Sequence, residues 1–581
     1  IKGNSNNGSS SSHEIKILFN SLNGIQIGET LNWSGNSFRT VLANNQATNL
    51  INGTNIFYIL NSTTDPNSLP YLDFFEITYA RELSFEENYT FFSPVQNQDI
   101  RFNFSGLKPD NINFWNITDL ENIKMLTIDE SNFSNVSNST NHTKRFVLFN
   151  SENIISIDNI QLKNNHQFNN LRQTNIQADY IIIGPDEFKT ASTNLLELRN
   201  PAIFASLENI YAEFSAGNPD PMAIRSFIQW TQEQWIMPRP SHALFLGDGG
   251  YDYRNINGNS SIVVPTIQVQ SNRSYATDDL LATIYGNIPE ISTGRYPAKN
   301  IQEVYDFIEK VEEIETNPTF GPWRQKVTLI ADDAARPEPS HGSIATGQSH
   351  TINSEEIANL IPSFINTEKL YMIEYPEVSD ASAYGVIKPT ATQALFNSLN
   401  SGTGIISYIG HGSPYQLAQE KLLDLNRGDV NQINIDRTLP LWIVGTCSFG
   451  WFDDPLNESF AEELIRAKMN AAAMVISTTR PITVIGNERY TKDLFENIFY
   501  NGNVSNLSIG SILQSIKDGS SESQYFHLFG DPAMLVPLPK DTIITLSITP
   551  DTLETLEKGT FYGLQNIISN DGIGYIHLID A

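Results

Sequence analysis

The chain has 581 residues, 40% of them hydrophobic and 17% charged, a composition that can bury a large core and does not fit the pattern of a disordered protein. Lys and Arg total 36 against 65 for Asp and Glu, a net charge of −29, which argues against nucleic acid or anionic lipid as a general partner. Cys447 is the sole cysteine, so an intramolecular disulfide and a cysteine-rich zinc site are both excluded.

At about 150 residues per domain, the length predicts roughly four domains, or two large ones with smaller attachments. No stretch reaches the roughly 18 apolar residues of a membrane span; the runs 404–409 and 471–476 are only strand-length. A soluble segment is expected. It begins at Ile1 without an initiator Met and stops at Ala581 inside an alternating pattern, which reads as a processed or truncated piece.

In chain order, residues 1–12 (IKGNSNNGSSSS) are polar and low in complexity and are expected to form a disordered end. Residues 13–177 carry short strand-like runs at 56–60, 73–79, 100–104 and 145–149, separated by Asn, Ser, Gly and Pro, and predict a mainly β domain. Asn-x-Ser/Thr triplets at Asn32, Asn61, Asn88 and Asn103 are read as chance in an Asn-rich stretch.

At Ala178 the period changes. Strand runs at 180–183 and 243–246 alternate with helical patterns at 222–235 and 302–315, predicting a first α/β subdomain over 178–321. A second series over 322–540 places strands at 327–330, 370–373, 404–409, 441–444 and 473–476, with helices near 354–361, 390–398 and 459–468. These strands are continuous apolar runs, as expected where helices cover both faces of a largely parallel sheet. After Pro537-Leu538-Pro539 the pattern turns β-like again, so residues 541–581 are expected to start an incomplete C-terminal β-sandwich.

Ligands and catalytic groups gather beyond the carboxyl ends of strands in open parallel sheets. Two strands here end in reactive side chains. Residues 405–409 run into Gly410-His411-Gly412-Ser413, and 441–444 into Gly445-Thr446-Cys447-Ser448-Phe449-Gly450. Singly, each is ordinary: a cysteine after an apolar strand is most often a small hydrophobe, and a lone histidine is usually structural. Together, with flanking glycines that leave room for a substrate backbone, they read as a Cys-His dyad. A thiolate is a good nucleophile, and an imidazole within reach can hold its proton and return it to a leaving amine.

The segment Tyr408-Ile409-Gly410-His411-Gly412-Ser413, Thr446-Cys447 after an apolar strand, Phe460-Ala461-Glu462-Glu463-Leu464 and Phe529-Gly530-Asp531-Pro532-Ala533 occur in an order that resembles the gingipain-type cysteine peptidases. The resemblance covers roughly residues 178–540. It implies a caspase-like α/β fold for that region, preceded by the mainly β domain and followed by the start of an Ig-like β module. The long β-rich region before the peptidase and Gly294-Arg295-Tyr296-Pro297-Ala298 are most similar to the family's sortases of the type IX secretion system of Bacteroidetes. That likeness implies removal of a C-terminal secretion signal from cargo proteins and transfer of the new carboxyl end to a lipopolysaccharide acceptor. It also implies other secretion components as partners, on the extracellular face of a Gram-negative outer membrane.

By the same resemblance, Cys447 is the nucleophile and His411 the general base and acid, with the backbone amides of Gly412 and Cys447 as oxyanion donors. The acid that orients His411 falls in Ala331-Asp332-Asp333-Ala334; Asp333 is preferred, with Asp332 nearly equal. Ser477, Thr478 and Arg480 lie where the family builds one wall of the substrate pocket, although Arg480 read alone is equally a surface arginine. The chemistry requires no cofactor. Gingipains bind calcium, for which Asp248, Asp252, Asp278 and Asp279 are the hard-oxygen candidates, against the competing reading of a solvated acidic face.

Ser413 lacks a Gly-x-Ser-x-Gly elbow and reads as a turn hydroxyl. Gly247-Asp248-Gly249-Gly250 lacks the Lys-Ser/Thr of a phosphate loop and reads as a tight turn, and no His-Glu-x-x-His zinc-peptidase signature occurs. The competing functions are a gingipain-like endopeptidase that only hydrolyses, and an inactive surface assembly or adhesion module.

Overall fold

The computed structural model describes residues 1–5, 11–44, 49–51, 53–93, 99–137, 142–155, 170–256, 258, 263–270, 274–333, 346–381, 385–435, 437–539, 543–549, 558 and 560–565. Two compact units divide the chain, residues 1–166 and residues 167–581.

The first unit is β-structured, as its turn-punctuated sequence predicts. Ser12–Phe19 pairs antiparallel with Ile25–Ser34 and with Phe57–Asn61. Lys144–Asn150 is flanked by Tyr89–Ser93 and Ile112–Asn116. In Ile100–Ser105, Phe102 and Phe104 turn inward while Arg101 and Asn103 turn out, the period of two that a half-buried strand requires. These two rings join Phe85, Phe114, Phe146 and Leu148 in a largely aromatic core.

Two expectations differ here. Residues 73–79 form no strand: Phe74, Phe75 and Tyr79 are exposed and no ladder partner reaches them. Residues 1–5 are placed by backbone hydrogen bonds from Lys2 to Tyr71 and from Gly3 to Ser37, so a frayed end is not what these residues show; residues 6–10 lie outside the described residues.

The second unit is organised by one ten-stranded sheet. Its strands, in chain order, are β1 (Tyr180–Gly184), β2 (Ala202–Ser206), β3 (His242–Leu246), β4 (Ser292–Tyr296), β5 (Lys326–Ala331), β6 (Asn366–Tyr371), β7 (Ile405–Ile409), β8 (Leu441–Gly445), β9 (Met474–Thr478) and β10 (Phe526–Phe529). The spatial order is β2-β1-β3-β4-β10-β9-β8-β7-β5-β6. The two sequence series are therefore the two halves of a continuous sheet. Strand β10 runs antiparallel to β9 and parallel to β4, so the halves point in opposite directions, and the carboxyl ends of β5, β7 and β8 define their own edge.

Gly294 on β4 and the Phe529-Gly530-Asp531-Pro532 turn form this junction. A methyl group on Gly294 would lie 2.4 Å from the Gly530 carbonyl, and the Gly530 N–H donates to the Arg295 carbonyl at 2.9 Å. Around it, Arg295 is 1% exposed and bidentate to Asp278 at 2.7 Å, while Asp531 accepts from Tyr180 and Arg199.

Helices cover the faces for local reasons that are visible in the sequence. Helix α1 (Pro221–Gln234) starts at an Asp220 cap followed by proline, and buries Ala223, Phe227 and Thr231 on one stripe with Ile224 and Ile228 beside it. Helix α2 (Ile301–Thr316) has an Asn300 cap and buries Val304, Phe307, Ile308 and Val311. Further helices are α3 (Thr346–Ala358), α4 (Pro389–Ser401), α5 (Phe460–Arg466) and α6 (Val484–Ile498). Beyond the sheet, Ile543–Thr549 and Thr560–Gln565 pair antiparallel; the remainder of the expected β-sandwich lies outside the described residues. No described helix is long and apolar enough to cross a membrane.

Candidate active site

Strands β7 and β8 are neighbours, parallel and in register, with Ile409 opposite Gly445. His411 and Cys447 therefore leave the sheet from adjacent strands at the same height, each two residues beyond that pair. The Gly410 N–H donates to the Gly445 carbonyl at 3.2 Å, holding the loops together where they begin. One residue further on, a methyl group on Gly412 would lie 2.5 Å from Thr446 Oγ1. The residue after the histidine thus rests on the residue before the cysteine, and only glycine fits there.

Helices α5 and α6 fix both loops. At the start of α5, the Phe460 N–H donates to the Pro414 carbonyl of the histidine loop and the Ala461 N–H to the Phe449 carbonyl of the cysteine loop; Phe449 and Phe460 stack with centroids 5.0 Å apart. From α6, Asn487 donates Nδ2 to the Gly445 carbonyl at 2.7 Å. Ser448, immediately after the cysteine, has φ of 58°, a left-handed conformation that is costly for a residue with a side chain and is held by this surrounding structure. Cys447 is half-buried, and its Sγ lies 3.9 Å from the Ile482 carbonyl.

The imidazole of His411 is also mostly enclosed. Its Nε2 is buried without a hydrogen-bond partner among the described residues. Burial lowers its pKa, opposed by the negative charge of Asp333. Two carboxyl groups lie beneath the loop, with different tasks. Asp332 accepts the His411 backbone N–H at 2.9 Å and the Asp333 N–H at 3.0 Å. It is 1% exposed, and burial pushes its pKa up to about 8, so it is largely uncharged at neutral pH. Asp333, the sequence's preferred orienting acid, forms an ion pair with Lys388. Lys388 also donates to the Met372 carbonyl at 2.7 Å. Asp332 therefore holds the backbone of the histidine, and Asp333 reaches its ring through charge.

The side chains of the loop read from sequence as one wall of the substrate pocket are engaged within the protein. Ser477 Oγ donates to the Val444 carbonyl at 3.1 Å, and Thr478 Oγ1 donates to the Thr446 carbonyl. Arg480 is bidentate to Asp453 at 2.7 and 2.5 Å, donates to the Ser274 carbonyl, and stacks 4.6 Å from the Trp451 ring. All three are buried. They brace the cysteine loop and its surroundings in place of presenting polar groups to open space. Ser413 accepts the Tyr415 N–H at 3.2 Å, the turn hydroxyl its context predicts.

The four aspartates assigned to calcium are dispersed among other partners. Asp278 pairs with Arg295 and Asp279 with Lys517, and Asp252 accepts the Ile256 N–H at 2.9 Å. Asp248 instead stands with Glu458 and Glu462. That trio does not fit a cage for a hard cation: Glu458 is held by both Lys299 and Arg466, and Glu462 accepts from the Ser459 N–H and hydroxyl at 2.7 Å. Burial pushes the pKa of Asp248 up to about 6 and raises that of Glu462 as well.

Sequence reasoning missed Asn487, Lys388 and His350. The His350 ring stands perpendicular to that of His411, with centroids 5.4 Å apart. Nothing in the local pattern of α3 marks His350, because its meaning depends on which strand the helix packs against.

Comparison with known proteins adds an independent line. No curated protein matches the sequence. Among solved structures, the Arg-specific cysteine proteinase gingipain R (RGPB) superposes with a TM-score of 0.47 at 17% identity, covering 64% of this chain and 82% of its own. The complex of Porphyromonas gingivalis RgpB pro- and mature domains gives 0.47 at 18%, covering 63% and 82%. Dimeric latent PorU from Porphyromonas gingivalis gives 0.46 at 14%, covering 97% of this chain and 50% of its own. The family profile for Peptidase family C25 matches residues 173–537. That span takes in the whole ten-stranded sheet and both reactive loops, and the chain belongs to this gingipain family of cysteine peptidases.

Proposed function

We propose that this chain is a sortase-type cysteine transpeptidase that acts at the cell surface. In this reading it removes the C-terminal secretion signal of type IX cargo proteins and joins the cargo to a lipopolysaccharide amine. The observation that supports it most is the adjacent, in-register exit of the His411 and Cys447 loops from β7 and β8, within a chain of the C25 family. The sequence likeness of the β-rich first unit and of the 294–298 segment to the family's sortases supports transfer over plain hydrolysis.

The chemistry follows from the residue types. His411 takes the Cys447 thiol proton as sulfur attacks the scissile carbonyl, and the backbone N–H groups of Gly412 and Cys447 receive the charge that develops on oxygen. The tetrahedral intermediate collapses, His411 returns the proton to the leaving amine, and the cargo remains as a thioester on Cys447. An incoming amine then gives its proton to His411, forms the new amide and releases the thiol. Water is in vast excess, so transfer requires a bound and oriented acceptor, for which effective molarities of about 10⁵ M or more are available.

The test is to incubate signal-bearing cargo with excess glycine amide or a labelled amino sugar and to weigh the products. Ligated cargo that disappears in Cys447→Ala is the expected result. Free acid at every acceptor concentration would identify a hydrolysing endopeptidase, and uncleaved cargo an inactive assembly module.

A further inference from the structure

Helix α3 packs against β5 and β7, the strands that lead to Asp332 and to His411, and it carries His350 to the His411 ring. Three features of His350 need an explanation together. It is 3% exposed. Both of its ring nitrogens lack a hydrogen-bond partner among the described residues. Its ring stands perpendicular to that of His411 at a centroid distance of 5.4 Å. A neutral imidazole carries one N–H donor and one acceptor, and leaving both unmade in a buried position is costly. If the position only needed filling, an apolar ring would fill it without that cost.

His411 has the complementary need. Its Nε2 is buried and unpartnered, and accepting the thiol proton would put a second N–H on this enclosed ring. Of the carboxyl groups below, Asp332 accepts backbone N–H groups, and Asp333 pairs with Lys388 while its charge acts on the His411 ring without a hydrogen bond to it among the described residues. Tyr408 donates its hydroxyl to the His411 carbonyl at 2.6 Å, and Glu420 lies with the two aspartates. On the far side, α3 meets α6 through the Glu356–Lys492 ion pair at 2.9 Å. Among the described residues, His350 stands ring against ring with His411 and has no partner on either ring nitrogen.

We propose that His350 is a positioning residue for His411: it seats the imidazole ring and accepts one of its N–H groups once His411 has taken up the thiol proton. The inference rests on the reading of His411 as the base. His350 suits the task because it is neutral. Burial, with His411 as a second cause, lowers its pKa to about 4, so near neutrality it offers a lone pair without adding charge. A carboxylate in the same place would add a negative charge that favours the imidazolium throughout, whereas a neutral acceptor favours it only through the hydrogen bond it receives.

The experiment compares iodoacetamide labelling of Cys447 between pH 5.5 and 9 in the full chain and in His350→Phe, His350→Gln and His411→Ala. Phe keeps a ring and removes the acceptor; Gln loses the ring and keeps an acceptor. His350→Phe is expected to label about tenfold more slowly at pH 7, the worth of one hydrogen bond to a charged group, with its rate profile moved to higher pH. His350→Gln is expected to stay much closer to the unmodified chain. Undiminished labelling in His350→Phe, or equal loss in both variants, overturns the proposal. If His411→Ala does not slow labelling, the reading of His411 as the base fails on its own account. A measurement without substitution guards against misfolded variants: ¹⁵N resonances of labelled histidines should show His350 neutral at pH 7 and shifting when Cys447 is alkylated. A His350 that is protonated at pH 7 also overturns the proposal.

Discussion

The backbone N–H of Gly410 donates to the carbonyl of Gly445 at 3.2 Å, which makes the histidine loop and the cysteine loop two branches of one strand pair. Their separation is set by the sheet, whose neighbouring strands lie about 4.8 Å apart, and by Asn487, which holds the same Gly445 carbonyl from α6. Two loops from distant parts of the sequence are thus fixed by rigid elements, the arrangement a nucleophile and its base require.

Cys447→Ala is expected to abolish turnover with the fold intact, because a methyl group forms no thioester and the change removes only sulfur. Ser413→Ala removes an acceptor from one exposed turn N–H and should be mild, within about 0.5 kcal/mol of stability. Turnover and circular dichroism of the two variants check this, and a dead Ser413 variant beside an active Cys447 variant would reverse the assignment.

Gly412→Ala places a methyl group 2.5 Å from Thr446 Oγ1. Overpacking of this kind costs about 1–3 kcal/mol, and a displacement near 1 Å at a reacting group can cost about 100-fold in rate. Activity should therefore fall much further than stability. Urea unfolding and turnover measured on one preparation would show it, and unchanged turnover would mean that the loops do not need this contact.

Gly294→Ala tests the seam between the two halves of the sheet. The added methyl meets the Gly530 carbonyl at 2.4 Å, a backbone atom that cannot rotate aside. A loss of at least about 1–3 kcal/mol is expected. A thermal midpoint equal to that of the unsubstituted chain would show that the junction can shift without cost.

The raised pKa of Asp332 has a signed consequence. Its ordinary value of 3.8 becomes about 8 in the folded chain, chiefly through burial. The folded state therefore binds this proton more tightly than the unfolded state. Its contribution to stability is full below about pH 4 and is lost as pH rises through about 8. Asp332→Asn cannot titrate, so its stability should gain on that of the unsubstituted chain between pH 5 and pH 8.5. Parallel stability profiles across that interval would show that Asp332 ionises without penalty.

Much of this molecule was legible in the sequence. The continuous apolar runs ending in Gly410-His411-Gly412 and Gly445-Thr446-Cys447 mark buried strands with reactive loops, because a strand covered on both faces has no polar alternation to disguise it. The helical patterns at 222–235 and 302–315 located α1 and α2, and the structure adds the caps Asp220 and Asn300, whose side chains satisfy N–H groups that a helix cannot. The glycines at 294 and 412 stood out as motif letters, but their reason is tertiary: each admits a partner from far along the chain, Gly530 in one case and Thr446 in the other. Partner choice was equally invisible. Asp333, preferred to orient the histidine with Asp332 nearly equal, pairs with Lys388 as well as acting on His411 through charge, Arg480, read as a pocket-wall or a surface arginine, pairs with Asp453, and His350 carried no local signal at all. Sequence by itself determined which segments must be buried and which could do chemistry, since burial and reactivity follow from side-chain type and period. Only the tertiary structure decided which charges and rings meet, because a hydrogen bond or ion pair depends on positions within a few ångströms that strand order and helix packing set.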